Sequence, residues 1–193
     1  VYCVPTIVPT SYFNSVLYTG SGGSQNIDTV GFQPDFTWIK QRNDTNPHSI
    51  FDSVRGAGKL LSSQNTSAQS GNAGDLLGSF RPLGFQVNRT YLSSNFDNTN
   101  LSGADYVAWS WKAGGAAVSN TDGSITTQVS ANVDAGFSII SASFPQSGYT
   151  NTFGHSLNST PELIIYKPTS ITLDWFIFSN YGGSLLGTNN VLR

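Results

Sequence analysis

The sequence contains few charged residues. Lysine, arginine, aspartate and glutamate make up 10% of the 193 residues, whereas about a quarter is usual for a soluble domain. The formal net charge is −2, and the basic residues are not clustered. Because binding to a phosphate backbone requires a positive surface, nucleic acid is not expected as a partner. Ser, Thr, Asn and Gln are expected to keep the surface hydrated.

Cysteine, methionine and long apolar runs are also scarce. The single Cys3 cannot form an internal disulfide, so core packing must hold the fold together. Apolar runs such as Leu163–Tyr166 have the length of a strand, far short of the roughly 20 residues of a membrane helix, and no membrane insertion is expected. The chain starts at Val1 and contains no methionine, which favours a processed product or a segment of a longer protein.

Short segments with period-two alternation predict strands along most of the chain. Residues 35–40 and 48–53 flank a turn-forming cluster and predict a hairpin. In the strand predicted at residues 106–112, the tryptophans are expected to face the core. The polar residues 119–132 are expected to connect this strand to another at 136–140. No apolar pattern with helical period persists for three turns. Further strands are predicted at residues 13–18 and 84–87.

An internal repeat organises these segments. Residues 34–40 match residues 161–167 as proline, acid, four strand residues and lysine, and at the same offset Phe51 matches Phe178 and Gly56 matches Gly183. These features predict an all-β fold, an antiparallel β-sandwich of jelly-roll type, a class that includes concanavalin-like folds.

The repeat also suggests how the chain is divided. We expect an extended arm at residues 1–12, a first β unit at 13–118, and a second unit at 119–193 that packs with the first. The second unit has no counterpart of the strand at 106–112, so it is expected to be incomplete, and one compact domain containing both units is an alternative.

Candidate chemical motifs are weak. The glycine-rich residues 20–23 and 55–62 lack the spacing and the following helix of a phosphate loop, so a hairpin turn is favoured at 20–23 and a turn at 55–62. His48 and His155 have no acid or cysteine at metal-ligand spacing. Most of the aspartates stand beside Asn, Thr, Ser or Gly, as is typical of turns. No catalytic, cofactor-binding or metal-binding residue is predicted, and no enzymatic activity or cofactor is expected.

Aromatic residues could instead form a platform on which a sugar ring stacks. The set that best fits such a glycan site is Asp174 and Trp175 with Tyr149 and Tyr181. Alternating aromatic residues on strands more often belong to the core, which is the competing interpretation.

Several segments together resemble a domain of unknown function found in bacteriophage structural proteins, notably those of marine phages. They are residues 16–20, 30–40, 51–58, 106–125, 154–157 and 161–165. The resemblance implies a β-sandwich-like module of a virion, in a tail fibre, a tail-associated protein or a capsid-surface (decoration) protein. It implies no catalytic residues.

Three functions follow as hypotheses. The first is a non-enzymatic structural component on the surface of a phage virion that contacts the host, with other copies of itself, other virion proteins and a host-surface glycan as partners. The second is a secreted, lectin-like carbohydrate-binding module. The third is a glycan-cleaving enzyme, which requires two neighbouring carboxylates in a cleft.

Overall fold

A computed structural model describes residues 9–71, 76–88, 99–144 and 151–179, and the fold is all-β. A short 3-10 turn at Pro9–Ser11 precedes the first strand, and residues 1–8 of the expected arm lie outside the described residues. None of the described residues forms a helix long and apolar enough to cross a membrane. The strands are β1 (Phe13–Thr19), β2 (Gln25–Ile27), β3 (Phe36–Gln41), β4 (Ser49–Asp52), β5 (Leu77–Arg81), β6 (Gly84–Val87), β7 (Asp105–Trp111), β8 (Val118–Asn120), β9 (Thr127–Asn132), β10 (Phe137–Ala142), β11 (Leu163–Tyr166) and β12 (Phe176–Ser179).

Two antiparallel sheets enclose the main core. One has four strands in the order β1-β7-β3-β4, and the other has three in the order β2-β6-β5. Apolar side chains from both sheets form one buried cluster, as expected for a β-sandwich-like fold. The largest fully buried members of this cluster are Tyr106, Phe51, Phe85, Ile39, Leu77, Val30 and Val87.

The predicted hairpin at residues 35–53 is confirmed. It consists of β3 and β4, which pair antiparallel from Phe36 opposite Asp52 to Ile39 opposite Ser49. The strand predicted at 84–87 is confirmed as β6. The prediction that residues 119–132 only connect other strands is wrong, since they include most of β8 and all of β9. These strands are rich in Ser, Thr and Asn, so they lack the apolar alternation by which a strand is recognised in a sequence.

The expected orientation of the tryptophans in β7 is also wrong. Tyr106, Ala108 and Ser110 face the core and are fully buried, whereas Trp109 and Trp111 lie half-buried on the opposite face of the sheet. Period-two alternation defines two faces but does not say which one is internal. The inward face of β7 contributes one large side chain, Tyr106, together with the small Ala108 and Ser110.

The repeat predicted from the sequence corresponds to two equivalent hairpins. Strands β11 and β12 start 127 positions after β3 and β4, and the register is the same: Phe36 opposite Asp52 becomes Leu163 opposite Ser179. Their surroundings differ, since β3 also pairs with β7, whereas β11 and β12 form a two-stranded sheet. Gly183, the predicted counterpart of Gly56, lies outside the described residues.

The second hairpin is attached to residues 62–66 by hydrogen bonds. The Lys167 ammonium donates to the carbonyl oxygen of Thr66 at 3.1 Å, and the indole N–H of Trp175 donates to the carbonyl oxygen of Ser62 at 3.0 Å. The N–H of Leu173 donates to the same Thr66 carbonyl at 2.9 Å. The repeated hairpin therefore packs against the segment that follows the first hairpin, at residues 62–66.

Candidate functional site

The outer face of the four-stranded sheet carries a cluster of aromatic side chains, here called the tryptophan face. It consists of Phe13, Phe36, Trp38, Trp109 and Trp111, which come together because β1, β7 and β3 are neighbours in register. Ring centroids lie 4.7 Å apart for Phe13 and Trp111, and 6.1 Å apart for Trp38 and Trp109. The planes of these two indoles meet at 75°, so the rings pack edge to face and do not form a flat platform.

One end of the tryptophan face is covered, and the other is open. Phe137 of β10 packs on Phe36 and Trp111, with centroids 6.2 and 6.3 Å away. Toward the opposite end of the sheet, Leu17 of β1 is 64% exposed. The open end therefore presents Leu17 to solvent, beside Val107 and the charged Lys40 on the neighbouring strands.

His48 borders the tryptophan face. Its Nδ1 accepts a hydrogen bond from the Trp38 indole N–H at 2.8 Å, which requires this nitrogen to be unprotonated. Burial lowers the pKa of His48, and the neighbouring Lys40 ammonium lowers it further. The neutral imidazole thus fixes the orientation of one indole.

Asp35 is a buried carboxylate, only 2% exposed, at the start of β3. One of its oxygens accepts a hydrogen bond from the hydroxyl of Ser53 at 2.9 Å, and the other accepts from the backbone N–H groups of Ala113 and Gly115 at 2.9 and 3.2 Å. The side chain therefore joins the first hairpin to the end of β7. An open cavity of about 390 Å³ lies beside it, but both carboxylate oxygens are already occupied by these bonds.

Asp52 and Arg55 form a second internal pair. The Arg55 guanidinium contacts the Asp52 carboxylate and also donates to the carbonyl oxygen of Lys59 at 3.1 Å and to the Gln69 side chain at 3.0 Å. These bonds fold residues 53–58 into consecutive turns. The turn predicted within residues 55–62 is confirmed for its first part, up to residue 58, whereas Leu60 and Leu61 form isolated β-bridges with Ser70 and Ile50.

The loop at residues 20–24 is organised by a buried amide. The side-chain oxygen of Asn100 accepts the N–H of Ser21 at 2.8 Å, and its amide nitrogen donates to the Gly23 carbonyl. This loop connects strands of two different sheets, so it is a turn but not the hairpin turn that the sequence suggested. Nothing in the sequence singled out Asn100, whose role depends on contacts about 80 positions away in the chain.

A polar cleft with a volume of about 510 Å³ lies between the loops at residues 122–123 and 152–158. The amide nitrogen of Asn120 donates to the Ser156 hydroxyl at 2.9 Å and to the Asp122 carboxylate at 3.3 Å, so both loops are held in place. Ser156 has a φ of 55°, an uncommon conformation for a residue other than glycine. Phe153, which is 37% exposed, and His155 also line the cleft. An aromatic ring beside a carboxylate and hydroxyl groups is an arrangement that can bind a sugar.

The glycan site expected from the sequence is only partly described. Asp174 and Trp175 are half-buried neighbours at the start of β12, and the Trp175 N–H is already bonded to the backbone of Ser62. Tyr149 and Tyr181 lie outside the described residues. The four-residue site therefore stays a prediction, whereas the Trp175 N–H has a structural role.

Neither histidine lies in a cluster of metal-ligand side chains. In the part of the chain that the structure describes, no three His, Cys, Asp or Glu side chains lie close enough together to hold a metal ion. His48 is bonded to Trp38, and His155 accepts the N–H of Leu157 at 3.1 Å. Both histidines accept local hydrogen bonds.

A family model described as a domain of unknown function, DUF7483, matches residues 8–192. No curated protein and no solved structure matches the chain. The family match includes both hairpins and every strand from β1 to β12. The chain therefore belongs to the DUF7483 family.

Proposed function

We propose that the chain is a non-enzymatic structural module on the surface of a bacteriophage particle, in a tail fibre, a tail-associated protein or a capsid-surface protein. The observation that carries this proposal is that the polar residues of its most recognisable motifs form internal bonds. Asp35 binds the backbone of Ala113, and Arg55 binds Asp52 and the backbone of Lys59, all inside the fold. Polar residues that form internal bonds of this kind stabilise the folded structure of the domain.

The carboxylates at these two positions are poorly suited to catalysis. Asp35 and Asp52 are 2% and 5% exposed. A general acid or nucleophile must reach its substrate, but these carboxylates are occupied by Ser53, Ala113, Gly115 and Arg55. The arrangement supports a scaffold whose contacts with partners occur on its surface.

The surface is suited to stable contacts in varied salt. Since only 10% of the residues are charged, association depends little on ion pairs, which salt would screen. The open end of the tryptophan face, with Leu17 exposed, offers apolar area to other virion proteins, to other copies of the chain or to the host surface. These features favour assembly and attachment.

Labelling of intact particles tests this proposal. Antibodies raised against the folded chain are applied to purified particles of the phage that encodes it, and bound antibody is located by electron microscopy. Labelling at one defined part of the particle is expected. Antibody that labels only lysed host material, and never particles, would remove the basis of the proposal.

A lectin-like carbohydrate-binding module is the second candidate, favoured by the polar cleft. Phe153 provides an exposed ring, and Asp122 and His155 provide polar atoms beside it. A glycan array compares the wild type with Phe153→Ala and Asp122→Ala, and Asp134→Ala, at an exposed position of the β9–β10 turn, is the control. If both cleft variants lose glycan binding and the control retains it, the lectin function is supported. Equal binding by all four proteins would place any sugar site elsewhere.

A further inference from the structure

The polar cleft keeps hydrogen-bonding atoms free for a ligand. The Asp122 carboxylate accepts a bond from the Asn120 amide at 3.3 Å through Oδ2, and its second oxygen has no partner among the described residues. Asn158 also lines the cleft, and its exposed side chain bonds to no described residue. A carboxylate accepts hydrogen bonds and an amide both donates and accepts them, so this pair matches the hydroxyl groups of a sugar.

The loops around the cleft are held in place by contacts within the protein. A Cβ at Gly123 would collide with the carbonyl oxygen of Thr152, and one at Gly154 would collide with the Asn120 side chain, so the two loops are in close contact. The Ser124 N–H also donates to the Thr152 carbonyl oxygen at 2.9 Å. Because these loops are already ordered, binding of a ligand costs little conformational entropy.

Exposed aromatic rings lead from the polar cleft to the second hairpin. Phe153 in the cleft contacts Phe144 at a centroid distance of 5.9 Å, and Phe144 contacts Tyr166 of β11 at 6.0 Å. Each of these three rings, here called the aromatic row, is more than a third exposed. Neighbouring ring planes meet at 75° and 84°, so the row offers separate contact points and not one flat platform. Separate rings in a row suit a chain of sugars better than a single sugar.

The charges at this surface favour an uncharged ligand. Among the residues that line the cleft, Asp122 carries the only carboxylate, and none is lysine or arginine. An acidic sugar would place a like charge beside Asp122, which opposes binding. Lys167 follows Tyr166 directly, but it is 9% exposed and its ammonium donates to three backbone carbonyl oxygens, so it is not available to an acidic sugar.

We infer that the polar cleft and the aromatic row bind consecutive sugars of one neutral oligosaccharide. One sugar is held in the cleft by Asp122 and Asn158 against the ring of Phe153, and the following sugars contact Phe144 and Tyr166. The polar atoms fix the orientation of the first sugar, and the rings add contact area for the others. This inference rests on the lectin-like function, the second candidate above, and adds the class of glycan and the extent of the site.

A glycan array that carries neutral and acidic chains of increasing length tests the inference. The neutral series are glucose, mannose, galactose and N-acetylglucosamine, each from monosaccharide to tetrasaccharide, and the acidic series are the equivalent chains of glucuronic and galacturonic acid. The wild type is expected to bind a neutral series, with an affinity about tenfold higher for the tetrasaccharide than for the monosaccharide. The acidic chains should bind about tenfold more weakly than the neutral ones.

Two substitutions on β11 test the second part of the site. Tyr166→Ala should bind the monosaccharide like the wild type but lose the gain in affinity with chain length, because it shortens the aromatic row. Ile165→Ala is the matched control, since Ile165 is 53% exposed on the opposite face of the same strand, and it should keep the full gain. The chain-length series of the wild type decides the matter even if Tyr166→Ala fails to fold.

The possible failures of the inference and of the lectin-like function are distinguishable. A wild-type affinity that is independent of chain length, a Tyr166→Ala protein that keeps the gain, or a preference for acidic chains would overturn the inference and leave the lectin-like function intact. A wild type that binds no glycan would overturn both, while the virion role would still be decided by the labelling of particles.

Discussion

Replacing Asp35 with alanine should strongly destabilise the fold. The change removes the acceptor for the Ser53 hydroxyl and for the N–H groups of Ala113 and Gly115 in the interior. A hydrogen bond to a charged group contributes about 1.5–3 kcal/mol, and the three bonds are not additive because the buried charge is removed with them. The expected loss in the free energy of unfolding is about 3–5 kcal/mol.

Asparagine at the same position separates the effect of the side chain's shape on stability from the effect of its charge. Asp35→Asn keeps one oxygen for the two backbone donors, and its amide can donate to the rotatable Ser53 hydroxyl. The expected loss in the free energy of unfolding for Asp35→Asn is smaller, about 1–2 kcal/mol. The control is Asp134→Ala, at an exposed turn position, for which a change below about 0.5 kcal/mol is expected.

Urea unfolding followed by tryptophan fluorescence measures all three variants. For a chain of this size, 1 kcal/mol shifts the melting temperature by about 2–4 °C, so Asp35→Ala should melt about 6–20 °C below the wild type. An Asp35→Ala protein within about 1 kcal/mol of the Asp134→Ala control would show that the carboxylate does not hold the two segments together.

Three other substitutions test separate parts of the fold. Because the pKa of His48 is lowered in the folded state, the unfolded chain binds more protons, and stability should fall as the pH drops below the ordinary histidine value of about 6.5 and the Trp38 bond is lost. His48→Gln should make unfolding less dependent on pH, and an unchanged pH profile would contradict this. Trp175→Phe removes the N–H bond to the Ser62 carbonyl oxygen, so thermal unfolding should show a loss of about 1 kcal/mol in the free energy of unfolding. Unchanged stability would count against a contribution from that bond. Gly114→Ala would push a methyl group into the Ala131 carbonyl oxygen, and urea unfolding should show a loss of about 2 kcal/mol or more; wild-type stability would refute the close contact.

Local sequence patterns predicted the first hairpin and the repeated one. The matching proline, acid, strand and lysine positions at 34–40 and 161–167 were enough to place β3 and β11, and the shared register follows from equal spacing. The turn residues between β3 and β4 gave the hairpin its direction. Such predictions succeed because neighbouring residues in the chain determine them.

Features that depend on distant contacts were not predicted. The inward face of β7 is decided by large residues of other strands, so its alternation could not show that Trp109 and Trp111 face outward. Strand β9 is polar in sequence but pairs on both sides. The sequence places Asp35 in the repeated strand motif but does not show that its carboxylate binds the backbone of Ala113 and Gly115. The Pro34-Asp35 pair and the two glycines at 114–115 were the available signals.

Quantitative mass spectrometry of purified phage particles tests the proposed virion role most directly. Particles of the phage that encodes the chain are purified by density gradient, and the chain is quantified against known particle proteins. The account predicts a fixed number of copies per particle that stays constant through further purification. A chain that is depleted at each step, or is absent from intact particles, would contradict a structural role in the virion.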